Sequence, residues 1–156
     1  MLELNIPEFG NLRIKYLVSD YNGTLAVDGR LLPGVKEALD NTAQQVDIHI
    51  VTADTFGLAR EALSGVNCTL AILPSGNHAF AKRRYIQQLG ADQTIALGNG
   101  RNDHLMLQAA AIGIAILLEE GAASQAVRSA DILVPGILPA LAFFNEPRRL
   151  IATLRS

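Results

Sequence analysis

Two rhythms of apolar residues alternate along the chain. Continuous apolar runs lie at residues 14–19, 48–52, 69–73, 94–97, 112–116 and 132–134. Short runs that are apolar on both sides of the backbone predict strands buried between two layers. Between them, apolar residues recur near helical spacing: after Pro33-Gly34 with Val35, Leu39 and Val46, then over about 55–63, from Pro74-Ser75-Gly76 to Leu89-Gly90, and over 103–110 and 122–129. Glycines at 65 and 90 close two of these stretches as C-caps. Residues 24–32 form two apolar runs around Asp28-Gly29, a pair that tolerates the positive φ of a tight hairpin turn. Residues 2–6 are read as an extra edge strand before Pro7 and Gly10. The stretch 138–154 reads as helical, with a break or kink at Pro147. Strands alternating with helices from end to end predict an α/β domain with a mainly parallel sheet.

In such a sheet ligands sit beyond the carboxyl ends of the strands. That rule selects few residues: Asp20 after the first strand, Thr52 after the second, and Gly98-Asn99-Gly100 after the fourth. Three polar strand ends, far apart in sequence, are thereby directed to one crevice.

The chain has 156 residues, which fits one domain over 1–156. Thirteen Lys plus Arg against fifteen Asp plus Glu leave a net charge of −2, so no overall basic balance steers the chain to nucleic acid or an anionic membrane, which leaves only a local basic patch for such a role. A small molecule or another protein is the better partner. Cys68 is the only cysteine, which excludes an intramolecular disulfide and suits a reducing compartment. The start, Met1-Leu2-Glu3-Leu4-Asn5, lacks the basic and apolar regions of a signal peptide, and no apolar run reaches membrane-spanning length. A cytoplasmic location is the expectation.

Asp20-Tyr21-Asn22-Gly23-Thr24-Leu25 after a hydrophobic strand resembles the first motif of the haloacid dehalogenase superfamily, Asp-x-Asp-Gly-Thr-Leu. Thr52 matches the second motif, Lys82 the third, and Gly98-Asn99-Gly100-Arg101-Asn102-Asp103 the fourth, Gly-Asp-Gly-x-Asn-Asp. Within that superfamily the chain is similar to small soluble proteins related to the phosphorylation domain of P-type ATPases, in Thr52-Ala53-Asp54-Thr55 and in the tail from Arg149 to Arg155. The resemblance implies a Rossmann-like three-layer sandwich with a short hairpin flap after the first strand. The segments from Thr24 to Thr52 and from Thr52 to Lys82 are filled by the elements already assigned, which leaves no room for a cap domain. An uncapped crevice then takes a bulky substrate or is closed by a second copy of the chain, for which the apolar run 137–144 is one candidate surface; packing on its own sheet is the alternative.

The residue types suit phosphoryl transfer. A carboxylate attacking phosphorus in line splits one hard displacement into two, and Asp20 is placed for that role. Phosphoryl oxygens need positive charge and hydrogen-bond donors. Lys82 supplies the charge, Thr52 a hydroxyl, and the backbone of Tyr21, Asn22, Gly23 and Ala53 further donors. The resemblance implies Mg²⁺ held by the Asp20 carboxylate, the Asn22 carbonyl, the Asn99 side chain and, directly or through water, Asp103. Two residues depart from the superfamily pattern. Asn22 replaces the acid that protonates the leaving oxygen, a role worth about 10²–10⁴-fold. Asn99 replaces a carboxylate, which weakens the metal site. The first favours substrates with good leaving groups, as in P-type ATPases, and the two together imply weak activity.

Other readings of these residues are simpler. Thr52 and Asp54 can serve as helix caps, and Asp103 as an ordinary first-turn acid. Arg83 is the fallback cation beside Lys82. The glycines around Asn99 do not make a dinucleotide site, since Asp103 would repel a pyrophosphate. His49, His78 and His104 have no partner at zinc-ligand spacing, and Cys68 reads as a core residue. As a whole, the chain reads as a Mg²⁺-dependent phosphohydrolase, and the resemblance implies a small phosphorylated molecule or a phosphoprotein as its partner; the alternative is a catalytically impaired regulatory or phosphate-binding module, with a receiver-like domain ranked last.

Overall fold

The computed structural model describes residues 1–54 and 57–156. Its centre is a sheet of six parallel strands: β3 (Tyr16–Ser19), β6 (Asp47–Thr52), β7 (Thr69–Ile72), β8 (Thr94–Gly98), β9 (Ile112–Ile116) and β10 (Ile132–Val134). Their spatial order is β10-β9-β8-β3-β6-β7, so β3 pairs with β8 on one side and β6 on the other. The chain reverses its direction of sheet growth at β3. That is the switch point where open sheets of this kind bind ligands.

Strands β8 and β9 are buried at every residue, as their unbroken apolar runs require. Large side chains point to one face: Leu17, Ile50, Ile95, Leu97, Ile112 and Ile114 join a core with Leu39 of α1 (Val35–Thr42), Ala59 of α2 (Leu58–Ala62), Leu141 of α6 (Ile137–Ala142) and Leu150 of α7 (Pro147–Leu154). Smaller ones, Val18 and Ala96, face the other way with Val51. There they meet Ile86 of α3 (His78–Leu89), Met106 and Leu107 of α4 (His104–Ala109) and Ala126 of α5 (Ser124–Ser129). Alternate residues of each strand thus serve two helical layers. Gly113 allows the closest approach: a Cβ there would lie 2.9 Å from the carbonyl carbon of Leu107, so the end of α4 could not rest on β9.

The expected flap follows β3 directly. Strands β4 (Ala26–Val27) and β5 (Arg30–Leu31) pair antiparallel across Asp28 and Gly29, whose φ values of 52° and 77° give the positive-φ pair that a two-residue hairpin needs. The buried Tyr21 donates its hydroxyl proton to the Gly29 carbonyl at 2.9 Å and pins the flap to the body. No segment among the described residues is inserted as a cap.

The N-terminus differs from expectation. Residues 2–6 do not extend the main sheet. As β1 (Leu2–Ile6) they pair antiparallel with β2 (Gly10–Ile14) in a separate hairpin over one core. The run 14–19 is therefore two elements, parted at the exposed Lys15. The alternation of Asn11-Leu12-Arg13-Ile14 marks a strand with one solvated face, whereas β3 is buried on both. Pro147 stands at the first position of α7, where a missing N–H costs nothing, so the expected kink is a boundary between α6 and α7. Within 137–144, Ile137, Ala140, Leu141, Phe143 and Phe144 are buried in the chain's own core, so these side chains are not free to meet another copy. Among the described residues, no helix is long and apolar enough to cross a membrane.

Candidate active site

The carboxyl ends of β3, β6 and β8 open into one cavity of about 350 Å³ lined by Asp20, Asn22, Thr52, Ala53, Lys82 and Asn99, together with Asp54, His78, Gly100 and Asn102. At its inner end Lys82, only 2% exposed, donates to Oδ1 of Asp20 at 2.8 Å and to Oδ1 of Asp103 at 2.7 Å. Lys82 reaches inward from the second turn of α3, while its neighbour Arg83 turns away and lies over the Phe80 ring at 5.0 Å. Arg83, the fallback cation, does not line the cavity.

Asp103 is buried and fully engaged. Its Oδ2 accepts the backbone N–H groups of Asn99 at 3.0 Å and Gly100 at 2.9 Å, which shapes the loop after β8 around the carboxylate. Gly98 is required there, since a Cβ would stand 2.6 Å from Cβ of Asp103. Asn99 is oriented from two sides: its Nδ2 donates to the Gly121 carbonyl at 3.1 Å, and its Oδ1 lies 3.3 Å from Oγ1 of Thr24. The same hydroxyl lies 3.3 Å from Oδ2 of Asp20. Gly23, at φ 76°, brings the flap turn against Asn99, where any Cβ would overlap the amide. Two oxygen acceptors from distant loops therefore flank a single hydroxyl.

Burial, and then the charge of Asp103, push the Asp20 carboxyl up to about 6, with Lys82 and the backbone of Tyr21 pulling the other way. Burial alone would lower the Lys82 ammonium, but the two carboxylates more than offset it and hold it in the charged form. Two carboxylates against one ammonium leave one negative charge in excess.

Tyr21, Gly23 and Asp103 do not line the cavity. The Gly23 N–H is taken by the Ala26 carbonyl at 2.7 Å, and the Tyr21 carbonyl receives the N–H groups of Leu25 and Ala26. These residues shape the turn that carries Asp20 and Asn22. Asp54 acts as the expected cap, accepting the N–H of Ala59 at 2.7 Å and of Arg60 at 3.2 Å at the start of α2. Thr52, nearly buried, faces the cavity, and its Oγ1 accepts the Asp54 N–H at 3.3 Å. The Thr55 position of the motif lies outside the described residues.

No family model matches the chain. It is 38% identical over 84 residues to an uncharacterized protein of Methanocaldococcus jannaschii, covering 51% of this chain and 90% of that protein. A second uncharacterized protein of the same organism is 44% identical over 42 residues, 27% of this chain and 96% of that protein. The chain belongs to one family with these two. Among solved structures, 3-deoxy-D-manno-octulosonate 8-phosphate phosphatase from Moraxella catarrhalis, in complex with magnesium, phosphate and the sugar acid, superposes with a TM-score of 0.71 at 15% identity, over 91% of this chain and 94% of that one. The cobalt-bound form of the corresponding phosphatase from Haemophilus influenzae gives 0.66 at 15% identity, over 91% and 90%. A protein of Streptomyces avermitilis described as a haloacid dehalogenase family hydrolase gives 0.67 at 13%, over 90% and 87%. The fold is that of the haloacid dehalogenase superfamily.

Two of these neighbours hold a divalent cation, magnesium in one and cobalt in the other. The available donors are hard oxygens: the Asp20 carboxylate, the Asn99 amide oxygen and the Asn22 backbone. With the excess negative charge they fit a small divalent cation. Among the described residues no group of three or more His, Cys, Asp or Glu could hold a metal, so the fit is to a weakly charged oxygen site. Asp103 accepts Lys82 on Oδ1 and the loop backbone on Oδ2, and it does not line the cavity. His78 was not singled out from the sequence as a site residue. It precedes Lys82 by one helical turn, so it shares the face of α3 that the strand-end rule turns toward the crevice, and that spacing was the available signal.

Proposed function

We propose that the chain is a phosphohydrolase that works through a phosphorylated Asp20 and prefers substrates with good leaving groups. The observation that carries this reading is the Lys82 ammonium held between Asp20 and Asp103 at the inner end of an open cavity. The bridge engages one Asp20 oxygen, Oδ1, and leaves the other, Oδ2, beside the Thr24 hydroxyl at 3.3 Å. That second oxygen is the attacking atom. Thr52 offers a hydroxyl proton to a phosphoryl oxygen, with the backbone around Asn22 and Ala53 as further donors, and Lys82 supplies the fixed positive charge. Asp103 keeps Lys82 and the loop after β8 in place. A divalent cation, when bound by Asp20, Asn99 and the Asn22 carbonyl, would neutralise charge on the phosphoryl group. Asn22 has no proton to give the leaving oxygen, which favours acyl phosphates, nucleoside triphosphates and activated aryl phosphates. The absent cap leaves room for a large substrate. Neighbours of the same fold include phosphatases that act on a sugar-acid phosphate, which supports phosphate ester or anhydride chemistry.

The test is incubation with acetyl phosphate and with p-nitrophenyl phosphate, with Mg²⁺ and with EDTA, of the wild type beside Asp20→Asn. Turnover that requires Mg²⁺ and is lost in the variant is expected. Absence of turnover in both proteins, combined with tight binding of a phosphate mimic, would replace this reading by that of a phosphate-binding module, which the neutral Asn22 and Asn99 favour.

A further inference from the structure

We propose that His78 is the base that passes water onto phosphorylated Asp20; the inference rests on the phosphohydrolase reading above. A good leaving group departs without a proton, but the second half of the reaction still has to activate water, and Asn22 has no basic atom for it. Of the other ionisable side chains that line the cavity, Asp20 is the phosphorylated group, Lys82 is held protonated by two carboxylates, and Asp54 spends both oxygens on the N–H groups of Ala59 and Arg60. His78 remains. Its Nε2 is buried and has no hydrogen-bond partner among the described residues, a costly state for a polar atom unless something else is to occupy the position. The first position of α3 holds the ring in the cavity wall one turn from Lys82, and Asn77 caps the helix by accepting the Phe80 N–H at 3.2 Å.

In the neutral ring with its proton on Nδ1, Nε2 presents a lone pair. Water attacks phosphorus, its oxygen forms the new P–O bond, and its proton goes to Nε2 of His78. The bond from phosphorus to the Asp20 oxygen breaks, and the electron pair returns to the carboxylate. Hydrogen phosphate leaves, and the imidazolium then loses its proton to solvent.

The experiment loads the protein with acetyl [³²P]phosphate and Mg²⁺ and follows formation and decay of the acid-stable, hydroxylamine-sensitive label in wild type, His78→Gln and His78→Asn. The expected result is an unchanged rate of labelling and a decay slowed by about 10²–10⁴-fold, so that label accumulates. Imidazole added to His78→Gly should restore part of the decay rate. Decay at the wild-type rate in either folded variant, or a loss confined to labelling, overturns the role of His78 and leaves the phosphohydrolase reading standing. If the wild type itself never carries label, both fall together. A measurement without substitution runs alongside: the Nε2 resonance of His78 in the ¹⁵N-labelled wild type should shift when inorganic phosphate and Mg²⁺ are added, and an unmoved resonance counts against the proposal.

Discussion

Lys82→Met removes the ammonium from between Asp20 and Asp103 while keeping a long side chain in its place. Both carboxylates lose their cation, and Asp103, completely buried, keeps only the Asn99 and Gly100 N–H groups on Oδ2. Removing one partner of a buried ion pair costs about 3–5 kcal/mol because the partner left behind stays charged and desolvated. For a chain of this length, roughly 2–4 °C of melting temperature go with each kcal/mol, so a fall of about 6–20 °C is expected. A double-mutant cycle separates the charge effect from packing. Asp103→Asn in the wild-type background leaves Lys82 with Asp20 as its one charged partner and should destabilise by about 1–3 kcal/mol. The same change in the Lys82→Met background removes an unpaired buried charge while its amide oxygen can still accept the loop N–H groups, so there it should stabilise by a similar amount. Urea unfolding at pH 7.5, followed by far-UV circular dichroism, reads all four proteins. If Asp103→Asn has the same sign in both backgrounds, or if Lys82→Met costs less than about 1 kcal/mol, the three charges are not coupled as argued.

Asn22→Asp supplies the missing acid and should raise turnover of phenyl phosphate, a poor leaving group, by up to about 10²–10⁴-fold while changing acetyl phosphate turnover little; equal effects on both substrates would contradict the leaving-group argument. Gly113→Ala drives a Cβ into the Leu107 carbonyl, backbone that cannot swing aside, and should lower stability by at least about 1–3 kcal/mol in urea titration. Burial holds the His49 ring below the usual histidine range, with Asp47 pulling weakly upward, in a site where it bonds Tyr85 at 2.7 Å and meets Tyr16 edge-on. The folded state thus disfavours the proton that the unfolded chain takes up below about pH 6.5, so this contribution is complete above that pH and is lost as pH falls through the folded value. The stability difference between wild type and His49→Gln should shrink on going from pH 7.5 to pH 5; a constant difference would show that the ring does not titrate as described.

The sheet was readable because a parallel strand buried on both faces leaves a plain mark: the run at 112–116 is β9 residue for residue. The flap was readable for a local reason, the positive-φ pair Asp28-Gly29. The β1–β2 hairpin was less so, because β2 is only half apolar and its pairing partner is chosen by tertiary packing against α7 and the core. For the site, strand ends and motif order brought Asp20, Thr52, Lys82 and Asn99 to one place. They could not reveal that Asp103 faces inward, since only the folded loop directs the two N–H groups and the ammonium onto its carboxylate. His78 carries no comparable mark in the sequence, because its Nε2 stands out only in the folded chain, where that atom is buried without a partner among the described residues.

The surplus of acid over base around Lys82 has a consequence for any anion that enters. Doubly ionised phosphate arrives at a place already negative, with the one ammonium committed twice, so by itself it should be held poorly. Its retention has to grow with the concentration of a divalent counter-ion, and the counter-ion's with that of phosphate, by the same factor. An enzyme wired in this way would release spent phosphate readily once the pair separates, and so would suffer little inhibition by its own product.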